Sequence, residues 1–219
     1  NFFSIKNLPV MSQKKPFIWT LHDMWAITGH NAHAFDCNHW KNGGCDCILP
    51  DTIPPHRKNN TQKLWKMKKK IYEQSKLHIV VPSLWLKNRV KESILKNHDI
   101  HLIYNGVNTD IFKPQDKKYL RQKLQLPLNK KIILVTSKGG EKNPWKGWEF
   151  TKKIIISQKD NSDIMFLCLG GYDKKLAQNN IIPISYTSDR THLSEYYAVS
   201  DILLYPSVAD NCPLVALEA

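Results

Sequence analysis

Short apolar runs alternate with longer amphipathic stretches along this chain, and the rhythm predicts alternating strands and helices. Phe17-Ile18-Trp19-Thr20-Leu21 reads as a buried strand that releases His22-Asp23 at its end. Residues 77–81 and 100–104 read as second and third strands. Leu64, Met67 and Ile71 recur at helical spacing and predict a helix over 61–75. A shorter helix is predicted over 84–97, with Ser83 placed to cap it. Residues 26–60 lack periodicity and are rich in Gly, Asn, Pro and His, which predicts a loop excursion. Asn105-Gly106 marks a turn.

The second half keeps a tighter alternation. Helices are predicted over 117–124, 148–158 and 192–200, and strands over 131–136, 164–169, 181–186 and 202–205. Gly170-Gly171 is a turn, the run 202–205 has the signature of a buried parallel strand, and a last helix begins at Pro213. Such alternation implies right-handed crossovers and parallel sheets, an α/β fold. Ligands of these sheets bind outside the carboxyl ends of the strands, where the Lys138 loop, Gly170 and Asp210 fall. There is no G-x-G-x-x-G, which argues against a dinucleotide domain with that fingerprint.

Charge narrows the partners. The 219 residues carry a formal net charge of +13, which favours nucleic acid, an anionic membrane surface or phosphorylated substrates. Residues 56–70 hold seven Lys or Arg and no acid. With Leu64, Trp65, Met67 and Ile71 they form a basic amphipathic helix, suited either to anionic lipid or to a solvated face over a core stripe. No apolar run approaches the roughly 20 residues of a spanning helix, and no secretory signal opens the chain. It begins at Asn1 and stops inside the last predicted helix, so it reads as an internal fragment of a longer protein.

Five cysteines without a secretion signal read as reduced thiols of a cytosolic protein. Cys168, in an apolar strand, reads as a core residue. Cys37, Cys45 and Cys47 cluster with His30, His33 and His39 and offer a structural zinc site. Their spacing is not a clean C-x-x-C, and a metal-free irregular loop is the favoured reading.

Candidate chemistry gathers in the second half. Asp210 and Glu218 flank the start of the final helix with seven residues between them, and carboxylates there can accept hydrogen bonds from sugar or ribose hydroxyls. Residues 137–147, between a strand and a helix, combine glycines that allow close backbone approach with Lys138, Lys142 and Lys146, cations for a leaving diphosphate. No Asp-x-Asp occurs.

Together these motifs resemble the retaining glycosyltransferases of family 4, which have the GT-B fold. Asp210-x7-Glu218 resembles their E-x7-E pair with Asp first. Lys146-Gly147 resembles the K-G of their phosphate loop, with Trp145 in the place of an Arg, so that Lys138 or Lys142 becomes the second cation. Residues 105–114 resemble the N-G-V-D-x-x-x-F-x-P linker, with Asn108 for Asp, and Pro82-Ser83-Leu84-Trp85 resembles P-S-x-W.

The resemblance implies two Rossmann-like domains with parallel sheets facing a cleft, incomplete at both ends. Residues 1–107 become the latter part of an N-terminal acceptor-side domain, and 108–219 most of a C-terminal nucleotide-sugar domain. It implies transfer of a sugar from a UDP- or GDP-sugar to a saccharide or lipid-linked acceptor, with retention and no required cofactor. The setting implied is capsule, exopolysaccharide or lipopolysaccharide assembly, in the cytoplasm or on the inner face of the cytoplasmic membrane.

His22, Asp210 and Lys146 are the implied catalytic residues, the first two at the sugar and Lys146 at the diphosphate. Glu218 would hold the ribose, Asn211 would join the donor site, and Gly170, Tyr186 and Thr187 would meet base and ribose. The alternatives are a GT-B phosphorylase or epimerase, or a basic nucleic-acid-binding protein. No aromatic-rich RNA motif or helix-turn-helix supports the latter, so no nucleic-acid partner is expected.

Overall fold

The structure is a computed structural model, and residues 4–43, 59–136, 143–170 and 180–219 are described. The chain divides into two compact units, Asn1–Asn105 and Gly106–Ala219, a division two residues ahead of 107/108.

The first unit holds a parallel sheet of β1 (Phe17–Thr20), β2 (Leu77–Val81) and β3 (Asp99–Leu102), in that order. Trp19 pairs with Ile79, and Val80 with His101. Leu77, Ile79 and Val81 are buried while His78 is exposed. One face of this sheet therefore carries the core, and Ile18, 68% exposed, shows that β1 is not buried on both faces. Helix α1 (Leu8–Lys14), absent from the sequence prediction, precedes the sheet; α2 (Thr61–Glu73) and α3 (Leu84–Lys91) follow β1 and β2.

Helix α3 ends six residues before the predicted 97. Ser93 Oγ donates to Val90 O at 2.8 Å and accepts from Leu95 N at 3.0 Å, so it competes with the helical backbone pattern and turns the chain.

The apolar stripe of α2 is packed inward. Trp65, Ile71 and Tyr72 are buried, and Met67 packs against the same core. The stripe thus covers the core, and Lys63, Lys66, Lys69 and Lys70 remain on the exposed side.

Most of the described loop excursion is an ordered layer. Leu21, Met24, Ala26, Ile27, Ala34 and Trp40 all reach the core. Side chains of α2 hold its backbone: Lys68 Nζ donates to Trp25 O at 2.5 Å and Thr28 O at 3.0 Å, and Tyr72 OH donates to Ala26 O at 3.0 Å. Trp65 Nε1 donates to Trp40 O at 2.7 Å. Lys68 Nζ also sits 3.6 Å from the centre of the Trp25 ring.

The second unit is a parallel sheet in the order β6-β5-β4-β7. Its strands are β4 (Lys131–Thr136), β5 (Ile164–Leu169), β6 (Ile181–Ile184) and β7 (Ile202–Leu204). Helices α4 (Lys117–Lys123), α5 (Trp148–Ser157), α6 (Arg190–Val199) and α7 (Leu214–Glu218) complete it. In β5 every residue from Met165 to Leu169 is buried, because both faces are covered. Ile132, Leu134 and Leu167 pack with Leu120 and Val199 on one face. Val135, Phe166 and Cys168 pack with Trp148 and Ile155 on the other. Strand β7 departs from the buried-strand expectation: Ile202 is 55% exposed, because β7 pairs only with β4 among the described strands.

At the amino end of this sheet the buried Arg121 donates to Val199 O, Lys130 O and Asp201 Oδ2. Asp201 also accepts from Lys117 Nζ and from Ile132 N at 2.8 Å. Burial alone would raise the Asp201 pKa, but the Ile132 N–H, Lys117 and Arg121 outweigh it and hold it at about 2.

Burial holds the Lys68 ammonium down at about 7, with the Asp23 charge pulling it up, against an ordinary value of 10.5. Between those values the folded chain binds fewer protons than the unfolded one, so Lys68's contribution to stability grows as pH rises through that window and is flat below it. Lys68→Met leaves two carbonyls unpaired and is expected to cost about 1–3 kcal/mol in urea denaturation at pH 8. The gap between wild type and variant should widen from pH 7 to pH 10; a constant gap would mean that the buried amine stays charged.

Candidate functional site

Four parallel strands of the second unit deliver their carboxyl ends side by side. β4 ends at Thr136, β5 leads into Gly170, β6 leads toward Tyr186-Thr187, and β7 leads into Tyr205. Gly170 has a φ of 91°, a turn open to glycine. A cavity of about 170 Å³ opens there, lined by Thr136, Lys146, Leu169, Gly170, Tyr186, Thr187, Leu193, Tyr197, Tyr205 and Val215. Four residues expected at the donor site, Lys146, Gly170, Tyr186 and Thr187, thus meet in one slot. Thr136 Oγ1 is buried beside it with no hydrogen-bond partner, a donor and acceptor left for a ligand.

Lys146 closes one end of the slot. Its Nζ lies 2.7 Å from Asp210 Oδ2 and 2.8 Å from the Tyr205 hydroxyl. Tyr205 donates to the same Asp210 oxygen, and Ser207 Oγ lies 2.6 Å from it. Ser207 Oγ is also 2.9 Å from Trp145 O, so its one proton serves one acceptor at a time.

Burial opposes charge on both members of the pair. On Lys146, hydrogen bonds to Asp210 and Tyr205 outweigh that and raise its pKa. On Asp210, hydrogen bonds from Lys146, Ser207 and Tyr205 outweigh it and lower its pKa. Both groups are therefore charged across the neutral range.

Gly147 makes this approach possible. Its φ is 66°, and a Cβ there would stand 1.9 Å from Pro206 O. Glycine at 147 is thus required by close packing of the 143–147 turn on the β7 exit, where Val208 N also donates to Trp145 O at 3.0 Å.

Glu218 has a separate set of partners. Its side chain is 8% exposed; Oε1 lies 3.2 Å from Arg190 Nη2 and Oε2 lies 3.4 Å from the Tyr197 hydroxyl. The two acids of the Asp210-x7-Glu218 motif are held by different donors, with the half-buried Asn211 directly after the first.

His22 lies in the first unit, exposed at the carboxyl end of β1. It lines a cavity of about 390 Å³ with Trp19, Thr20, Leu21, Asp23, Trp25 and Ala26. A larger cavity of about 670 Å³ sits at the amino ends of β2 and β3, among Lys69, His78, Lys96, His98 and Asp99. That is the end of a parallel sheet where ligands are not expected.

Lys138, Lys142, Cys45 and Cys47 lie outside the described residues. Cys37 Sγ is 3.8 Å from His39 Nδ1, and among the described residues no three His, Cys, Asp or Glu side chains gather to hold a metal. His33 stacks on Trp85 at 5.3 Å, and its Nδ1 accepts from Phe35 N.

Thr136, Tyr205, Ser207, Tyr197 and Arg190 were missed by sequence reasoning. No spacing connects Tyr205 to a lysine 59 positions earlier. The only available signal was that Thr136 and Tyr205 each stand at a strand's carboxyl end.

Asp210→Asn removes the charge that offsets burial of Lys146, so its pKa is expected to fall below the ordinary lysine value. Side-chain nitrogen NMR titration reads this directly, and an unshifted Lys146 would show that Asp210 does not govern it. Gly147→Ala must move backbone and is expected to lower the melting temperature by more than about 4 °C in scanning calorimetry; an unchanged temperature would refute the packing account.

Comparison with known proteins adds identity to this geometry. The model of Glycosyltransferase Family 4 matches residues 3–111. A relative in Escherichia coli (strain K12), whose name assigns it provisionally to colanic acid biosynthesis as glycosyl transferase WcaC, is 23% identical over 210 residues. The match covers 92% of this chain and 49% of the relative, so the chain spans about half that protein's length.

Among solved structures, sucrose-phosphate synthase from Thermosynechococcus elongatus superposes with a TM-score of 0.57 at 20% identity, over 74% of this chain and 43% of that one. The Anabaena protein HepE, solved in complex with UDP and glucose, gives a TM-score of 0.56 at 15% identity, over 95% and 52% of the two chains. The structural matches show a GT-B fold; this chain covers 43% and 52% of those two proteins' lengths, and the family match spans just under half of this chain.

Proposed function

We propose that the parent protein moves a sugar from a nucleotide-sugar donor to a saccharide or lipid-linked acceptor, with the donor held by the second unit. The observation that carries this is the Lys146–Asp210 pair with its Tyr205 bridge, set at the end of an aromatic-lined slot at the carboxyl ends of the strands. A donor diphosphate brings more negative charge than Asp210 and would draw Lys146 to itself. Asp210, still held by Tyr205 and Ser207, would then accept from a sugar hydroxyl. Tyr186, Tyr197 and the unpartnered Thr136 hydroxyl suit a base and ribose in the slot. Glu218, with lone pairs free beyond its two partners, suits the ribose hydroxyls.

In this reading the leaving diphosphate helps deprotonate the incoming hydroxyl and configuration is retained. Lys146, with Lys138 or Lys142, offsets the charge without a metal ion, which the lack of Asp-x-Asp favours. His22 would meet the transferred sugar. The products would serve capsule, exopolysaccharide or lipopolysaccharide assembly. Exposed Lys63, Lys66, Lys69 and Lys70 would meet an anionic membrane through charge alone. Among the described residues no helix is long and apolar enough to cross a membrane.

Calorimetric titration of the full-length protein with UDP and GDP tests this. One nucleotide should bind in the micromolar range and lose at least about tenfold in the Asp210→Ala, Glu218→Ala double variant. Folded protein that binds neither nucleotide would sink the donor-site reading. Salt-sensitive DNA binding in its place would favour the nucleic-acid alternative.

A further inference from the structure

Helix α7 carries Glu218, whose side chain is only 8% exposed. The direction of the Glu218 carboxylate is set by the side chains that reach it. Two do, and both stand on α6. Arg190 and Tyr197 are seven residues apart on that helix, hence on one face, and each serves one oxygen of Glu218.

Arg190 is itself held. Phe112 is 8% exposed, its ring centre lies 5.1 Å from the Arg190 guanidinium carbon, and its N–H is fixed to Asn108 O at 2.9 Å. The same ring lies 5.9 Å from that of Tyr197. The chain enters α6 through Asp189, whose Oδ1 accepts from Thr191 N at 2.8 Å and His192 N at 3.2 Å. A half-exposed arginine at the first position of a helix would ordinarily sample many rotamers. Here the aromatic face takes one side of the guanidinium plane and leaves an N–H edge on Glu218.

We infer that Arg190 is a positioning residue of the donor site: stacked on Phe112, it fixes the Glu218 carboxylate so that its remaining lone pairs meet the two adjacent hydroxyls of a nucleotide ribose. This rests on the donor-site reading given above. A carboxylate offers about four acceptor positions. Arg190 and Tyr197 take two. Tyr197 also lines the slot, so the Glu218 oxygen it holds is directed to the slot's edge. A vicinal diol needs two neighbouring acceptors at a fixed angle, which a freely rotating carboxylate supplies only part of the time. Arg190 thereby sets discrimination between ribose and deoxyribose without touching the ligand.

The test is titration of the full-length protein with UDP, 2′-deoxy-UDP, GDP and 2′-deoxy-GDP, for wild type, Glu218→Gln, Arg190→Gln and Arg190→Lys. Wild type should prefer the ribose form of its nucleotide by at least about tenfold, and Glu218→Gln should abolish that preference. Arg190→Gln should keep nucleotide binding but shrink the preference to within about threefold. Arg190→Lys, which keeps charge but loses the planar fork, should restore part of it.

A variant Arg190→Gln that weakens ribose and deoxyribose forms by the same factor would make Arg190 merely structural and overturn the inference. Wild type that binds both forms equally would overturn the ribose role of Glu218 while leaving the donor site standing. Wild type that binds none of the four overturns both readings.

Discussion

Asp201 accepts from Arg121, Lys117 and the N–H of Ile132, and this cluster at the amino end of the second sheet sets the register of β7 on β4. In return Asp201 N donates to Ile132 O at 2.8 Å. The pairs Ile133–Ile202, Leu134–Leu203 and Val135–Leu204 follow in order, and Thr136 and Tyr205 emerge next to each other at the far end. A slip of one residue would turn every side chain of β7 to the other face. It would also carry Tyr205 away from Lys146. A buried ion pair is weak evidence of stability, because desolvation offsets the attraction. Its effect here is register, since Arg121 ties Asp201 to the carbonyls of Val199 and Lys130 at once.

The site at the carboxyl ends inherits that register through backbone contact. Pro206 leaves β7 close enough to Gly147 that no side chain fits between them. Lys146 is thereby delivered to Tyr205 and Asp210. In the first unit, α2 plays the corresponding part. Lys68, Tyr72 and Trp65 donate to four carbonyls of the segment after β1, which gives the backbone around His22 an order that its own sequence would not supply.

Much of the fold was legible because its strands are short apolar runs bounded by turn residues. The runs 77–81, 131–136 and 164–169 match β2, β4 and β5. Boundaries failed where a side chain outbid the backbone pattern, as Ser93 does at the end of α3. Over residues 26–43 the lack of periodicity predicts a loop, and only a short 3-10 turn at His39–Lys41 forms there; its order comes from donors on α2 rather than from local repetition. At the site, residue types at strand ends were legible, and Lys146, Gly170, Tyr186 and Thr187 do share one slot. Partnership was not. Nothing in the spacing says that Asp210 pairs with Lys146, that Tyr205 bridges them, or that Glu218 leans on Arg190. Such pairs depend on which strand exits beside which, and that order, β6-β5-β4-β7, is fixed by long-range packing.

The Lys146–Asp210 pair bears on how such a site can be both stable and ready. Their side chains are 23% and 27% exposed, so water still screens the attraction and the pair is neither a deep ion pair nor a free surface one. Breaking it for a better anion costs little. Without Asp210, Lys146 would be a partly buried cation with its charge uncompensated, and its proton would be less firmly held. With Asp210 in place the cation stays charged at neutral pH, and in the proposed exchange a diphosphate would replace one charge-assisted contact by others of the same kind. Tyr205 makes the exchange smoother still. Its hydroxyl touches both partners, so when Lys146 moves, the carboxylate keeps a donor and is not left bare. The resting site therefore holds its cation charged, as the proposed diphosphate ligand would require, and it does so with contacts that are individually weak enough to give way.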